Sequence, residues 1–170
     1  MIDKFDGEFE FLSNFYIFDP PITIRLNSFN AIGNGEITVN NTEAAFQAGK
    51  SKEPLKYQNM PPKEAKKAGR HERMSQIEKS QWDNYKKLVL MKKLLKLKFD
   101  KNHPDLQQKL IATYPEELIE GNYWHDTYWG VCEGVGENHL GKLLMEIRNE
   151  LYIEKHGSNT NLKSNFRQFN

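Results

Sequence analysis

Asp126 stands in the stretch GNYWHDTYWG, residues 121–130, among Tyr123, Trp124, Tyr128 and Trp129. A core does not want an acid in the middle of such a cluster. Aromatic walls exclude water and strengthen any charge interaction they enclose. A second acid, Glu43, opens TEAAFQAGK (42–50) and has Phe46 one turn away. Two carboxylates with an aromatic platform are the ingredients for cleaving a glycosidic bond. That reaction passes through an oxocarbenium-like sugar cation, which one carboxylate stabilises while another orients or deprotonates water. Plainer readings exist for both acids. With Asn40 as the N-cap of a helix, Glu43 falls at the third helical position, where a Glu caps back onto the helix start. An Asp before an aromatic turn is usually a turn residue. Composition and spacing leave both pairs of readings open.

Three further residues carry the same ambiguity. Arg70 follows Gly69 at a helix end, where Arg either clamps a phosphate bidentately or hydrogen-bonds the last carbonyls. Lys50, two turns beyond Glu43, is solvated by default. Trp82 sits at the edge of an apolar stripe. It is either core packing or a flat wall for a base or sugar, a stacking worth ~1–3 kcal/mol per base.

The elements that must position these residues are legible in outline. GEFEFLSNF alternates Phe9 and Phe11 with Glu8 and Glu10, a half-buried strand pattern. ITIRL (22–26) and EITV (36–39) are rich in β-branched residues and read as strands, with Asn34-Gly35 as a hairpin turn signal. From residue 40 onward the pattern is helical. Helices are expected over 42–50, 62–68, 76–99, 104–113 and 138–154. In the long one, Trp82, Tyr85, Leu88, Val89, Leu95 and Phe99 share a face at 100° per residue, with Leu90, Leu94 and Leu97 on a second. Lys92 and Lys96 intrude on the first stripe. The whole reads as α+β, a mostly helical domain over 1–155 with a small antiparallel sheet near the N-terminus, then a polar tail over 156–170.

Bulk numbers narrow the function. A chain of 170 residues, 38% hydrophobic and 28% charged, suits one compact domain. Lys+Arg is 24 against Asp+Glu 23. That balance gives no general electrostatic drive toward nucleic acid or acidic membrane, although two or three cations suffice for one phosphorylated ligand. Cys132 is the single cysteine and reads as a spectator, with no cysteine-rich zinc motif. The histidines show no paired metal spacing. The opening residues lack a signal-peptide pattern, and no apolar run reaches the roughly 20 residues a membrane span needs. A cytoplasmic location is expected.

FLSNF (11–15), TEAAFQAGK (42–50), AGR (68–70), Trp82 followed by KKLVLMKKLLKLKF (86–99), LIEGNYWHDTYWG (118–130) and NHLGKLLMEIRNEL (138–151) occur in one order. That ordered set resembles the NADAR domain family, also called YbiA-like proteins, over about residues 5–153. The resemblance implies a metal-independent N-glycosidase without a cofactor. Its substrate would be a phosphorylated ribosyl compound: an early riboflavin-biosynthesis intermediate, or ADP-ribose attached to guanine, free or carried in DNA or RNA. The family's functional Glu, Trp and Asp match Glu43, Trp82 and Asp126. Two departures bear on substrate: Ala44 follows Glu43 where members often carry His or Tyr, and the loop VCEGVGE (131–137) is short of glycine and basic residues that some members have. The segment FNAIGNGEITVN before the Glu43 helix is a further variable edge.

Residues and resemblance together assign roles. Trp82, Phe15, Phe46, Tyr128 and Trp129 would hold the base or ribose. Arg70 and Lys50, with Ser13 and Asn14 as donors, would grip phosphate. Asn122 and Asn138 would meet sugar hydroxyls, and Gly130 would let backbone approach the ligand. The competing readings are a non-catalytic module that binds ADP-ribose or a related nucleotide, and a structural or protein-interaction domain.

Overall fold

The computed structural model describes residues 1–157. Of the expected polar tail over 156–170, His156 ends the last helix, and residues 158–170 lie outside the described residues. Strand β1 (Ile22–Arg25) pairs antiparallel with β2 (Glu36–Val39), Ile22 opposite Val39 and Arg25 opposite Glu36. Ile22, Ile24, Ile37 and Val39 turn inward and are buried. On the outer face Thr23 and Thr38 hydrogen-bond at 2.8 Å, and Arg25 meets Glu36 at 3.3 Å. The connection is longer than the expected Asn34-Gly35 turn. A type I′ turn needs positive φ at both central residues; Gly35 has φ 132° and Asn34 has none.

The first expected strand is not one. Gly7–Leu12 forms a 3₁₀ helix. With three residues per turn, Phe9 and Leu12 come to one side, and Phe9 packs against the core that encloses Leu12. The segment's hydrogen bonds are local, Phe9 N–H to the Asp6 carbonyl and Ser13 N–H to the Glu10 carbonyl, both at 2.9 Å.

The helices follow the expected order: α1 (Thr42–Lys50), α2 (Pro62–Gly69), α3 (Gln76–Gln81), α4 (Lys87–Lys98), α5 (Pro104–Ala112) and α6 (His139–His156). Helix α1 packs against α2 and α4, and α6 packs against α4 and α5. Leu90, Leu94, Leu95, Leu140, Leu144 and the small face Ala44, Ala45, Ala48 fill the space between them. The approach of α1 to α4 depends on Gly49, where a Cβ would stand 2.2 Å from Leu90 Cδ2. Lys92 and Lys96 point outward and pair with Glu146 and Glu150 of α6 at 2.6 and 2.7 Å.

The expected long helix 76–99 is interrupted by a π-helical turn at Trp82–Lys86. Such a turn inserts one extra residue, so everything before it falls out of phase with the later stripe. Trp82 therefore shares the buried face with Leu90, eight residues on, rather than with Val89. Tyr85, placed in the stripe by simple periodicity, is 46% exposed.

Lys98, on the last turn of α4, is wholly buried and donates one hydrogen bond, to the Ser13 carbonyl at 2.7 Å. Burial alone holds its ammonium down, to about 7. An unfolded chain keeps the proton to about pH 10.4. Between those values the unfolded state binds more protons, so Lys98 makes stability rise with pH across that window. Thermal melts from pH 7 to 10 are expected to show Lys98→Met losing its advantage over wild type as pH rises. The full swing is on the order of a few kcal/mol. A pH-independent difference would contradict it.

Strands β3 (Gly121–Asn122) and β4 (Val131–Cys132) form a short parallel pair, bridged by the aromatic loop 123–130. Ile2 bridges to Leu118 and brings the N-terminal segment alongside.

Candidate active site

A cleft of about 1040 Å³ opens between α1, α2, the Ser13–Phe15 segment and the loop carried by β3 and β4. It is large enough for a nucleotide-sized ligand. Glu43, Phe46 and Gln47 line it from α1; Lys66 and Arg70 line it from α2 and its end; Asn122, Trp124, Asp126 and Trp129 line it from the loop. Residues 43 and 126 thus share one cleft although they lie far apart in the chain.

Glu43 is not the capping residue that spacing suggests. The N-cap is Asn41, whose side chain accepts from the Ala44 N–H at 2.8 Å. Glu43 therefore sits at the second helical position, and Ala44 occupies the capping-box slot. Its own N–H goes to the Asn14 carbonyl at 3.0 Å, which ties the Ser13–Phe15 segment to the helix start. The Glu43 side chain is 6% exposed. Gln47, one turn on, donates Nε2 to Oε1 at 2.7 Å. Gly69 makes room for that amide, since a Cβ there would lie 1.9 Å from Gln47 Oε1. Burial raises the proton affinity of Glu43; the Gln47 bond and the charges of Lys66 and Lys50 oppose it, and Asp126 adds to it.

Asp126 is held by its own loop. Asn122 clamps it twice, accepting from Asp126 N–H at 3.1 Å and donating to the Asp126 carbonyl at 2.8 Å. Asp126 Oδ1 then accepts from Tyr128 N–H at 3.2 Å and Trp129 N–H at 2.8 Å. The turn reading of this Asp is correct, and it coexists with a place in the cleft wall. His125, just before it, holds φ 63°, a left-handed conformation that costs on the order of 1–3 kcal/mol. The winding from Asn122 to Trp129 offsets that strain and fixes the carboxylate.

Comparison with known proteins shows the family. The model of the NADAR domain matches residues 3–152. The chain belongs to the NADAR family. The solution structure of the Escherichia coli protein YbiA superposes with a TM-score of 0.67 at 30% identity, covering 94% of this chain and 93% of that one. N-glycosidase YbiA of E. coli K12 is 45% identical over 75 residues, 44% of this chain and 45% of that protein. The chloroplastic riboflavin biosynthesis protein PYRR of Arabidopsis thaliana is 37% identical over 92 residues, 52% of this chain and 15% of that protein. These sequence alignments span less than half of the curated YbiA and a small part of PYRR.

In this NADAR cleft Ser13, Asn14, Phe15, Phe46, Arg70, Asn122 and Trp129 all line the wall as expected. Five other residues named from sequence do not. Trp82 is 5% exposed and packs behind Phe46, ring centroids 5.2 Å apart, so Phe46 rather than the indole meets the cleft. Lys50 donates to the Gly69 carbonyl at 3.0 Å and caps the end of α2. Tyr128 turns away from the cleft, with Lys87 Nζ 3.7 Å from its ring centre and the His139 ring tilted against it at 4.3 Å. Gly130 allows a close approach, but to protein: a Cβ there would stand 2.2 Å from the Glu120 carbonyl. Asn138 donates to the Leu118 carbonyl at 2.9 Å and accepts from Glu120 N–H at 3.1 Å.

Four wall residues lie beyond what the sequence pattern identifies. Gln47 carries no sequence signal beyond its place one turn after Glu43. Lys66 lies between two aromatic rings, 5.5 Å from the centre of Phe15 and 5.6 Å from that of Trp124. Trp124 stands out in the text only as part of the aromatic cluster. Glu120, in LIEGN, gives no hint of its burial. Asn14 Oδ1, Gln47 Oε1 and Glu120 Oε2 are enclosed and have no hydrogen-bond partner among the described residues. Buried polar atoms are nearly always satisfied; all three residues belong to the cleft wall, although Gln47 Oε1 itself faces Gly69.

Proposed function

We propose that this chain is an N-glycosidase that hydrolyses the bond between a base and a phosphorylated ribose. The observation that carries the reading is the convergence of Glu43 and Asp126 on one aromatic-walled cleft whose rim also carries Lys66 and Arg70. The names of YbiA and PYRR agree with it in reaction type and in a link to riboflavin precursors.

The residues divide the work. Asp126, aimed by two backbone N–H bonds to Oδ1, is the fixed negative charge beside the anomeric carbon. Glu43, buried and made more basic by burial, takes a proton from the attacking water. Phe46 and Trp129, edge to face at 5.5 Å, form the apolar wall against the ribose or base. Arg70, exposed at the cleft edge, and Lys66 meet the phosphate. The substrate classes are an early riboflavin intermediate and ADP-ribosylated guanine, free or in nucleic acid. Mass spectrometry of both, incubated with the protein, is expected to show free base and the ribosyl phosphate product from at least one. Tight binding with no base released over long incubation would instead establish a binding module. No thermal shift with either class would exclude both.

A further inference from the structure

Glu120 is one of four further carboxyl residues of the cleft wall, with Asp3, Asp6 and Glu133, and no role above uses it. Three independent contacts fix its backbone. Asn138 Oδ1 accepts its N–H at 3.1 Å, Val131 N–H donates to its carbonyl at 2.9 Å, and Gly130 permits the close packing of that carbonyl. Its side chain lines the cleft, and Oε2 is enclosed without a hydrogen-bond partner among the described residues. So much positioning, spent on an acid whose Oε2 has no partner among the described residues, calls for a reason. A carboxylate kept only for packing is better replaced by Gln or Leu, because burying an unpaired charge is costly. The group is useful if it is a neutral acid with a proton to give.

We propose that Glu120 is the general acid that protonates the departing base. The inference rests on the N-glycosidase reading. Cleavage of the C1′–N bond leaves its electron pair on nitrogen; the Glu120 proton goes to that nitrogen as the bond breaks. Water adds its oxygen to C1′ and gives its proton to Glu43. The products are the ribosyl hydroxyl and the neutral base, and the two side chains then re-equilibrate with solvent. Burial, then the negative charges of Asp126 and Glu43, push the Glu120 carboxyl up to about 8, with Lys66 opposing. The acid therefore holds its proton at neutral pH, as its task requires.

The test compares leaving groups. Glu120→Gln keeps shape and removes the transferable proton. On the best natural-type substrate, whose base leaves poorly without protonation, kcat is expected to fall about 10²–10⁴-fold. On 4-nitrophenyl ribofuranoside 5-phosphate, whose phenolate leaves unaided, the same variant is expected to lose less than about fivefold relative to wild type, because acid assistance is not needed there. Equal losses on the two would overturn the proposal, as would no loss on either. A melting temperature matching wild type confirms that Glu120→Gln folds; if it does not, Asn138→Ala, which removes the bonds to both the Glu120 N–H and the Leu118 carbonyl, must show the same leaving-group selectivity or the proposal fails. Wild type that cleaves neither compound would remove the N-glycosidase reading itself, an outcome distinct from any result for the variant.

Discussion

Glu43→Gln is expected to lower kcat for base release by about 10²–10⁴-fold and to move KM by less than about threefold. The amide has the same shape, and its oxygen can still accept from Gln47 Nε2, the contact now made at 2.7 Å. Helix α1 and the wall around Phe46 therefore keep their form, while the base that takes the water proton is gone. Steady-state kinetics on the substrate identified by mass spectrometry would measure this. A variant with full turnover would remove Glu43 from the mechanism.

The same substitution carries a stability signature. The proton affinity of Glu43 is raised in the folded protein, chiefly by burial. The folded state therefore holds this proton at pH values where the unfolded state has released it. Stability is present below the unfolded carboxyl pKa and is lost as pH rises through the folded one. Glu43→Gln does not titrate, so its melting temperature is expected to gain on wild type between pH 4 and pH 7. An acid that costs stability at working pH and sits in a cleft is a candidate for a chemical role.

The sequence made the site's membership legible better than its layering. Short-range patterns survived where local chemistry dominates. The β1–β2 pair follows its β-branched alternation, and α6 follows its i, i+3, i+4 leucines. Two local readings failed because tertiary contacts outvoted them. Phe9 and Phe11 alternate with acids as in a strand, yet with no partner strand the segment curls into a 3₁₀ helix. One extra residue in the π-helical turn at Trp82–Lys86 rotates the indole out of the stripe that simple periodicity gives it. In the aromatic loop, adjacent residues part company. Trp129 faces the cleft and Tyr128 faces Lys87 and His139, because a backbone leaving the Asp126 turn sends neighbouring side chains to opposite sides. Composition announces such a cluster but not which rings it presents.

The layer behind the wall explains why plausible ligand contacts turned out to be supports. Asn138, Gly130 and Lys50 are polar or permissive residues near the acids, which is what a substrate contact looks like in a linear text. In three dimensions they instead brace Glu120 and the end of α2. Glu120 itself was hidden for the converse reason. An isolated Glu between Ile119 and Gly121 reads as a solvated residue, and only folding shows that its Oε2 is enclosed. Burial of a charged residue is a non-local property, and periodicity reports only local ones.

Asp126→Asn and Asp126→Ala together separate charge from architecture. Both remove the negative charge that the proposed mechanism sets beside the anomeric carbon, and losing one such preorganised electrostatic contact costs about 10²–10³ in kcat. The Asn side chain keeps an oxygen to accept from the Tyr128 and Trp129 N–H groups, bonds now 3.2 and 2.8 Å long. The melting temperature of Asp126→Asn should stay near that of wild type. Asp126→Ala removes that acceptor from a loop that already carries His125 at φ 63°, so it should also destabilise the protein by about 1–3 kcal/mol. Chemical denaturation and kcat measured on the same two variants give the comparison. Equal activity loss with unequal stability is the expected pattern, because the catalytic term is the charge and the structural term is the oxygen. If the Asp126→Asn variant retained wild-type kcat, Asp126 would be a turn residue alone, and the cation at the sugar would have to be met by Glu43 without it.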